Sequence, residues 1–586
     1  MTGLFRETVL RHGDRPAVRD ERTSLSYRDL DQASDALADR LRAAGVTPGD
    51  RVVYHLERGA RVFVALLAAL KAGAAYVPVD TRYPDTRRDL MITQSRPRLI
   101  LTEPSRAERI SALGVAVLPF EGLPAPAAPA GTDCGAAAPA DADATAALLF
   151  TSGSSGTPKA VALTHGNLCH FARNESLPRL GPDDRVGHVS SLSFDAFHYE
   201  TWCAFAGGAE IVVLPTMPDL VGRDIQRELR RHRITAMLVP TMAVNHVVRE
   251  DREAFSQLRV LCTGGDVILP QTCRDLLAGS FSGRLFNLYG PTEATTACVV
   301  HEVLEVAPDA DSVPIGRALE GVTVRVLDES RAEVPAGTPG ELYVSGPGVA
   351  HGYLDQPELT DERFPFDPFA ADGSRMYATG DLVRLGDDGL LRYLGRTDDQ
   401  VKIRGYRVEL REVERILARR PDVREVAVLT VGEGEDRHLV GLVVADGAVS
   451  LTDLREHAEA SLPDFMVPSA LIRVPEIPAT AHGKRDLEQL RRLAEEHRRR
   501  GADHVTPRDE EERYLAAVWQ DLLTVERVGA TDDFFELGGN SLLSFRLLRR
   551  VSKDLGVALS SREVLTTSRL ESLATLIRDR KEPVQA

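Results

Sequence analysis

A short loop rich in glycine and hydroxyl residues, TSGSSGTPK at 151–159, directly follows the apolar run AALLF at 146–150. This order predicts a buried strand that runs into a glycine-rich turn. Gly153 and Gly156 tolerate positive φ angles and let backbone N–H groups approach an anion. The hydroxyl groups and Lys159 add donors suited to phosphate. The spacing differs from that of the common P-loop, so the sequence predicts a phosphate-binding loop of another class, with a solvated turn as the alternative.

Length and composition indicate a soluble multidomain protein. The chain has 586 residues, which is more than a single domain usually contains. Its residues are 43% hydrophobic and 27% charged, as is typical of globular proteins. Its net charge of -16 argues against a nucleic-acid partner. Neither a membrane span nor a signal peptide is expected from the sequence. The six cysteines have no C-x-x-C spacing typical of zinc sites, and they predict the reducing cytoplasm.

Helices alternate with short apolar strands over roughly the first 240 residues. Residues 28–44 have helical apolar spacing, with Gly45 as the expected C-terminal cap. A second apolar helix is expected at 61–72 and a buried strand at 74–79. Residues 121–146 are rich in Ala, Pro and Asp and predict a loose surface connection. The pattern is typical of an α/β fold with a largely parallel sheet.

The pattern changes three times after residue 320. Antiparallel strands are expected first, and short α and β elements then run from about 397 to 493. A polar linker at 498–507 precedes an all-helical segment. We therefore predict a large α/β N-terminal subdomain with a β-barrel-like portion at 1–397, a small α+β subdomain at 398–497, and a four-helix bundle at 508–580.

Several motifs, in order, resemble the adenylation domains of nonribosomal peptide synthetases, within the adenylate-forming enzymes. They cover nearly the whole chain: LSYRDL (25–30), LKAGAAYVPVD (70–80), the 151–159 loop, SFDAFHYE (193–200), YGPTE (289–293), GELYVSGPGVAHGY (340–353), YATGDL (377–382), GRTDDQVKIRGYRVEL (395–410), LPDFMVP (462–468) and HGKRDL (482–487). Any one motif would be weak support, but together in this order they exclude an unrelated fold.

The segment DDFFELGGNSLLS at 532–544 resembles the attachment site of peptidyl carrier proteins. The resemblance implies that Ser541 carries a covalent 4′-phosphopantetheine arm. The alternative is that Ser541 only caps a helix. The Gly538-Gly539 turn is expected to expose Ser541 at the helix start, within reach of another enzyme.

The family resemblance implies a reaction in two steps. A carboxylate substrate reacts with ATP to give an acyl-adenylate and pyrophosphate, and the acyl group then passes to the phosphopantetheine thiol as a thioester. The implied cofactors are ATP, Mg²⁺ and 4′-phosphopantetheine. Such transfers depend mainly on positioning and on stabilisation of negative charge.

The resemblance also assigns nucleotide-site roles. Lys484 would bridge the substrate carboxylate and the α-phosphate, Glu293 would hold Mg²⁺, and Thr292 would lie near the α-phosphate. Tyr289 would stack on adenine, while the remaining contacts with ATP or AMP would come from Asp381 and Arg396 at the ribose and from Thr151, Ser152, Gly153, Ser154, Ser155, Gly156, Thr157 and Lys159 at the departing phosphates. Alone, Asp381 and Arg396 would more often be surface residues.

A hinge is implied at Asp398, between the large and small subdomains. After adenylation the small subdomain would rotate there, withdrawing Lys484 and bringing Lys402 to the active site. Steps of this kind can limit turnover.

The same motifs align a substrate pocket. Asp195 would pair with an α-amino group, against the alternative of a turn or capping aspartate. The remaining lining positions are Ala196, Tyr199, Met237, Cys262, Gly264, Leu288, Thr296 and Ala297. None of them is formally charged, and burying an unpaired charge there would be costly. We expect a neutral, mainly apolar amino acid of medium or large size, without naming one.

Five positions depart from the family pattern: Ala160, His351, Ala378, Arg411 and His482. None removes a group that carries charge in the implied chemistry, so activity is expected. They leave open whether an MbtH-like activator is required.

The sequence leads us to expect a free-standing didomain that loads its own Ser541, as an initiation module or as a station for tailoring enzymes. Expected partners are a phosphopantetheinyl transferase and a downstream condensation domain or tailoring enzyme. An aryl- or acyl-CoA ligase and an inactive carrier scaffold are the alternatives. Asp195 and the carrier segment argue against the ligase, and Lys484, Glu293, Asp381 and Lys159 against the scaffold. The amino acid, the product and the oligomeric state stay open.

Overall fold

The structure is a computed structural model that describes residues 1–586 apart from 124–140, 154–156, 222–223, 399, 404, 433–436, 446–449, 479–484, 501–504, 524, 526, 536, 540, 561–562, 565–566 and 582–586. The chain divides into two compact units. The first contains Met1–Gly153, Thr157–Pro215 and Leu229–Gln400, and the second contains Thr216–Glu228 and Val401–Ala586.

Strands up to Arg396 form the framework of the first unit, and those from Tyr406 onwards belong to the second unit. In chain order they are β1 (Pro16–Arg19), β2 (Ser24–Ser26), β3 (Arg51–His55), β4 (Ala75–Pro78), β5 (Leu99–Thr102), β6 (Ala116–Pro119), β7 (Thr145–Thr151), β8 (Lys159–Thr164), β9 (Arg185–His188), β10 (Glu210–Val213), β11 (Ala236–Pro240), β12 (Val260–Gly264), β13 (Arg284–Tyr289), β14 (Val299–Glu302), β15 (Arg317–Ala318), β16 (Thr323–Leu327), β17 (Pro339–Ser345), β18 (Met376–Leu385), β19 (Leu391–Arg396), β20 (Gln400–Ile403), β21 (Tyr406–Glu409), β22 (Val423–Val431), β23 (His438–Ala445) and β24 (Ala470–Arg473).

Helices connect these strands and form the C-terminal part. They are α1 (Thr2–His12), α2 (Tyr27–Ala43), α3 (Ala60–Lys71), α4 (Asp85–Ser95), α5 (Pro104–Ser111), α6 (His165–Ala172), α7 (Ala196–His198), α8 (Ala204–Gly207), α9 (Met217–Val221), α10 (Ile225–His232), α11 (Thr241–Glu250), α12 (Pro270–Ala278), α13 (Pro357–Arg363), α14 (Leu410–Leu417), α15 (Leu451–Glu459), α16 (Leu487–Arg500), α17 (Glu510–Leu523), α18 (Ser541–Leu555) and α19 (Leu570–Lys581). A π-helix lies at Tyr199–Cys203 and a 3₁₀ turn at Thr292–Ala294.

The first predicted helices and strand are confirmed. A capping box starts α2, since Asp29 N donates to Ser26 Oγ at 3.1 Å and Ser26 N donates to the Asp29 carboxylate at 3.0 Å. Gly45 follows α2 with φ at +87°, as expected of a C-terminal cap. The apolar helix is α3, which is buried along nearly its whole length, and the predicted strand is β4.

Two large sheets organise the first unit. One has six strands in the order β6-β5-β3-β4-β7-β8, parallel except for the pairing of β7 with β8. The other has nine strands in the order β15-β14-β13-β12-β11-β9-β10-β1-β2, and the run from β13 to β1 is parallel. Because parallel strands end at the same edge, β11, β12 and β13 present their C-terminal residues side by side.

A third sheet of the first unit has four antiparallel strands, β16-β17-β18-β19, which confirms the antiparallel segment expected after residue 320. Asp381 on β18 pairs in register with Arg396 on β19. The pairing brings together two residues predicted to bind ribose.

The second unit combines a small mixed region with a helical carrier region. Strands β22, β23 and β24 form a three-stranded sheet, and β20 with β21 forms a hairpin. Helices α17, α18 and α19 surround a core that includes Trp519 and Phe534, both fully buried. Helix α9 packs against α18 within this unit. The α/β, small α+β and helical parts confirm the predicted fold class, while the exact domain boundaries stay predictions.

Across the described residues, no helix combines the length and the apolar character that crossing a membrane would require.

Candidate active site

Lys159 and Glu293 form a buried ion pair. The Lys159 Nζ atom lies 3.7 Å from Glu293 Oε1, and the two side chains are 2% and 0% exposed. Tyr353 contacts both, because its hydroxyl donates to Glu293 Oε1 at 2.7 Å and its ring lies 4.8 Å from Lys159 Nζ. Tyr353 ends one of the family motifs but was not among the residues predicted for the site. The structure thus brings together the lysine and the carboxylate predicted for phosphate and Mg²⁺.

The predicted phosphate loop joins antiparallel strands. Thr151 at the end of β7 pairs with Lys159 at the start of β8. A side chain at Gly153 would lie 1.9 Å from the Thr157 carbonyl oxygen, so only glycine fits there. Ser152 is buried beside it. Ser154, Ser155 and Gly156 lie outside the described residues.

The residues predicted to bind adenine and ribose are linked by hydrogen bonds. The Tyr289 hydroxyl donates to Asp381 Oδ2 at 2.5 Å, and the Arg396 guanidinium donates to Asp381 Oδ1. Burial, and next the Asp381 carboxylate, raise the pKa of Tyr289, so its hydroxyl stays protonated. A carboxylate accepts about four hydrogen bonds, which leaves Asp381 able to accept from ribose hydroxyls as well.

Asp398, the predicted hinge residue, belongs to the same network. Arg396 donates to it through two nitrogens, at 2.7 and 2.9 Å, and Arg363 Nη2 lies 3.8 Å from its Oδ2. Arg396 therefore joins the predicted ribose carboxylate Asp381 to the predicted hinge. Arg363 was not foreseen, because nothing in its local sequence distinguishes it.

The predicted substrate-binding residues converge at one sheet edge. Met237 lies on β11, Cys262 and Gly264 on β12, and Leu288 on β13, and these three strands are neighbours. Asp195, Ala196 and Tyr199 lie at the start of the helical segment α7 and the π-helix, and Thr296 and Ala297 follow the 3₁₀ turn.

A direct contact joins the helical segment to this sheet. Cys262 Sγ donates to the Tyr199 hydroxyl at 3.3 Å, and both residues are fully buried. Burial raises the pKa of Tyr199 and raises that of Cys262 to about 12, so both groups are neutral at physiological pH. A side chain at Gly264 would lie 2.7 Å from the Leu288 carbonyl oxygen. Tyr199, Cys262, Gly264 and Leu288 are thus uncharged and closely packed.

Two threonines hold Asp195. Thr292 Oγ1 donates to Asp195 Oδ2 at 2.6 Å, and Thr296 Oγ1 donates to the Asp195 carbonyl oxygen at 2.8 Å. Thr295 and Thr296 have φ angles of +56° and +70°, which β-branched residues rarely adopt. Thr295 is held there by a bond from its Oγ1 to the Gly348 carbonyl oxygen at 2.7 Å.

Glu200 is a buried acid to which the sequence analysis gave no role. Its carboxylate accepts from the backbone N–H groups of Val189 and Ser190, both at 3.1 Å, and from Ser190 Oγ at 2.9 Å. His188 Nδ1 is also within hydrogen-bond distance. These bonds tie the π-helix to the end of β9. An acid within an apolar helical segment was the available sequence signal.

The second unit carries the remaining predicted residues. Lys402 lies on β20. Ser541 is the first residue of α18, after a turn in which Gly538 has φ at +98°. The side chain of Ser541 and the whole of Lys484 lie outside the described residues.

A metal ion would depend on substrate oxygens at this site. Within the described parts of the chain, no group of three or more His, Cys, Asp and Glu side chains could hold a metal. Mg²⁺ commonly binds through one or two carboxylates and substrate phosphates. The buried Glu293 carboxylate fits that pattern.

The chain matches three family profiles. AMP-binding enzyme covers residues 5–354, AMP-binding enzyme C-terminal domain covers 412–484, and phosphopantetheine attachment site covers 513–577.

The five cysteines that the structure describes are free thiols.

Curated relatives are large synthetases. Malpibaldin synthetase of Mortierella alpina is 38% identical over 98% of this chain, which spans 10% of that protein. Surfactin synthase subunit 1 of Bacillus subtilis is 35% identical over 98% of the chain and 16% of its own length. The chain therefore spans a small part of these relatives.

Among solved structures, holo-PA1221 is described as an NRPS protein containing adenylation and PCP domains, bound to a vinylsulfonamide inhibitor. It is 31% identical, with a TM-score of 0.85, over 99% of this chain and 96% of that one.

Proposed function

The chain belongs to the AMP-binding enzyme family, as an adenylation region joined to a peptidyl carrier region of the nonribosomal peptide synthetase type, and from this premise we propose that it activates an amino acid with ATP and loads it onto its own carrier. The observation that carries the proposal is the buried Lys159–Glu293 pair in the same unit as Asp195, whose carboxylate accepts a hydrogen bond from the neighbouring Thr292. A phosphate site and an ammonium site together are what amino-acid adenylation needs.

In this proposal the first unit orients both substrates. Lys159 and the 151–159 loop bind the phosphates that leave, and Glu293 holds Mg²⁺, which supplies charge neutralisation when bound. Asp381 and Arg396 fix the ribose, with Tyr289 at the adenine. Lys484 stabilises the charge that develops between the carboxylate and the α-phosphate.

The second half-reaction belongs to the second unit. Rotation at Asp398 would replace Lys484 by the segment around Lys402. The arm on Ser541 supplies, when attached, the thiol that becomes acylated. The turn at Gly538 and the helix start at Ser541 support this attachment position.

The substrate is proposed to be a neutral, mainly apolar α-amino acid. Asp195 pairs with its ammonium group, and Ala196, Tyr199, Met237, Cys262, Gly264, Leu288, Thr296 and Ala297 surround its side chain. The neutral, buried Tyr199–Cys262 contact supports this class, since it offers no charge to pair with a charged tip.

The proposed partners are a phosphopantetheinyl transferase, an optional MbtH-like activator, and a condensation domain or tailoring enzyme that takes the loaded amino acid. We propose the cytoplasm as the location, and the free thiols support a reducing compartment.

Pyrophosphate exchange into ATP, measured with a panel of amino acids and an MbtH-like protein present, tests the proposal. Exchange should depend on one or a few neutral amino acids. No exchange with any α-amino acid would refute it, whereas exchange with a des-amino acid alone would favour the CoA-ligase alternative.

Three variants test the assigned roles. Lys484→Ala should abolish most exchange without unfolding the protein.

Ser541→Ala should retain exchange and lose covalent loading, so an acylated mass on that variant would contradict its role. Asp195→Ala should lose preference for α-amino over des-amino acids.

A further inference from the structure

The geometry points to Thr292 as the residue that couples binding of the amino acid to binding of the nucleotide, through a hydroxyl proton that serves one of the two sites at a time. The inference rests on the proposed function and adds to it a thermodynamic link between the two substrates.

The Thr292 hydroxyl donates its hydrogen bond to Asp195, the residue proposed to bind the amino acid. It donates to Asp195 Oδ2 at 2.6 Å. A hydroxyl has one proton to donate, and a bond to a carboxylate is stronger than one between neutral groups. While this bond exists, the same proton is withheld from any other acceptor.

The backbone of Thr292 belongs to the phosphate side. Thr292 precedes Glu293 on the 3₁₀ turn, and Glu293 Oε1 lies 3.7 Å from Lys159 Nζ. Ala350 N donates to the Glu293 carbonyl oxygen at 2.9 Å, and Thr295 N donates to that of Thr292 at 3.1 Å. One short turn therefore contacts both proposed substrate sites.

This turn is fixed, so the hydroxyl is the part that responds. Thr295 has a left-handed φ angle, and its hydroxyl is bonded to the carbonyl oxygen of Gly348. Such a strained residue persists only where the surroundings hold it. Rotation about one side-chain bond of Thr292 needs no movement of this backbone.

The coupling follows from competition for that proton. An ammonium group bound at Asp195 neutralises the carboxylate charge and so weakens its bond from the Thr292 hydroxyl, which becomes available to a phosphate oxygen. No covalent bond changes in this exchange of hydrogen bonds. By linkage, a nucleotide that takes the hydroxyl raises the affinity for the ammonium group by the same factor.

Calorimetric titration tests the link, using the amino acid that gives the fastest exchange. Its Kd is measured with and without saturating Mg²⁺ and α,β-methylene-ATP, which supplies phosphates but does not react. Wild type should bind the amino acid about fivefold more tightly with the analogue. Thr292→Val should reduce this ratio to about one, and Thr292→Ser, which keeps the hydroxyl, should restore it.

Thr296→Val is the matched control. It removes a threonine hydroxyl bound to Asp195, but at the carbonyl oxygen rather than the carboxylate. It should weaken amino-acid binding and leave the ratio at its wild-type value. A des-amino analogue of the substrate should show a ratio of about one with wild type, because it brings no ammonium group.

Two results would overturn the inference while leaving the proposed function standing. One is an unchanged ratio in Thr292→Val, and the other is a wild-type ratio of one in a protein that catalyses exchange. Absence of exchange with every α-amino acid would instead overturn both proposals.

Discussion

At the scale of single residues, Tyr353 explains how a lysine and a glutamate can both be buried. Removing two charges from water costs several kcal/mol per ion unless hydrogen bonds and close partners offset it. Tyr353 gives Glu293 a hydroxyl donor and gives Lys159 the face of its ring. The pair therefore depends on a third, neutral residue.

Tyr353→Phe should raise the KM for ATP in pyrophosphate exchange. The ring stays beneath Lys159, but Glu293 loses a donor and holds Lys159 more tightly, away from phosphate. A bond to a charged group contributes about 1.5 kcal/mol, which corresponds to roughly a tenfold change. Tyr514→Phe, on α17, is the control and should leave this KM unchanged. A wild-type KM in Tyr353→Phe would contradict the assigned role.

Sequence could predict the residues whose motifs carry chemistry, but not those that support them. Lys159 and Glu293 stand in recognisable segments. Tyr353 was missed because its partner Glu293 lies 60 residues away along the chain, and no local sequence spacing indicates that contact. The hydrogen bond between Thr292 and Asp195 joins residues 97 positions apart and could not be predicted either, although both residues were predicted for the site.

At the scale of elements, the helical segment that carries the predicted substrate residues Ala196 and Tyr199 also contains a buried, uncharged histidine. His198 ends α7, and its Nε2 lies 3.0 Å from the Tyr76 hydroxyl, which also accepts from Trp202 Nε1 at 3.2 Å. Burial lowers the pKa of His198 to about 3. The folded protein thus keeps this imidazole neutral where the unfolded chain would protonate it.

This difference makes the first unit less stable in acid. Below pH 6.5 His198 is protonated in the unfolded state, whereas in the folded state it stays neutral down to about pH 3. The free energy of unfolding therefore falls as the pH falls from 6.5 towards 3. Between pH 7.5 and 5.5, wild type should lose about 1 kcal/mol more unfolding free energy than His198→Gln.

Denaturant titrations that follow Trp202 fluorescence would measure this difference, with both proteins in a Trp519→Phe background because the chain has two tryptophans. Equal losses in the two proteins would show that His198 titrates normally in the fold.

Elements were predictable where their signals are local. The apolar spacing of α2, the glycine that follows it and the apolar run of α3 are all local features, so the positions of both helices followed from the sequence. The place of β9 between β11 and β10 is set by packing across distant segments, which periodicity does not encode. The π-helix at Tyr199–Cys203, which the Glu200 bonds tie to the end of β9, was not foreseen.

At the scale of the molecule, the second unit joins its small mixed region to the carrier through an arginine and a ring. The Arg455 guanidinium lies 5.5 Å from the Phe535 ring centroid, six residues before Ser541. Arg455 is itself fixed by Glu459, at 3.0 Å, and by the Ser469 carbonyl oxygen, at 3.0 Å. The carrier loop therefore meets a cation that is already oriented.

Arg455→Ala should slow thioester loading of the full-length holo protein about threefold in a single turnover, as expected for loss of a modest cation–π contact. Pyrophosphate exchange should stay at the wild-type rate, since Arg455 lies outside the nucleotide and amino-acid sites. Arg420→Ala, which breaks a half-buried ion pair with Asp422 in the same unit, is the control. Equal loading rates in both variants would remove Arg455 from carrier recognition.

The anchoring of the π-helix has a consequence for how such a protein changes its specificity. Glu200 holds that helix through Val189 and Ser190, which are not among the predicted lining residues. The residues that hold the π-helix in place are thus different from the residues predicted to line the substrate site. Under the proposed function, we expect exchange of Tyr199, Met237 or Cys262 to alter which amino acid is selected while the Glu200 bonds persist, so that selectivity could be redesigned without rebuilding the helix that carries Tyr199.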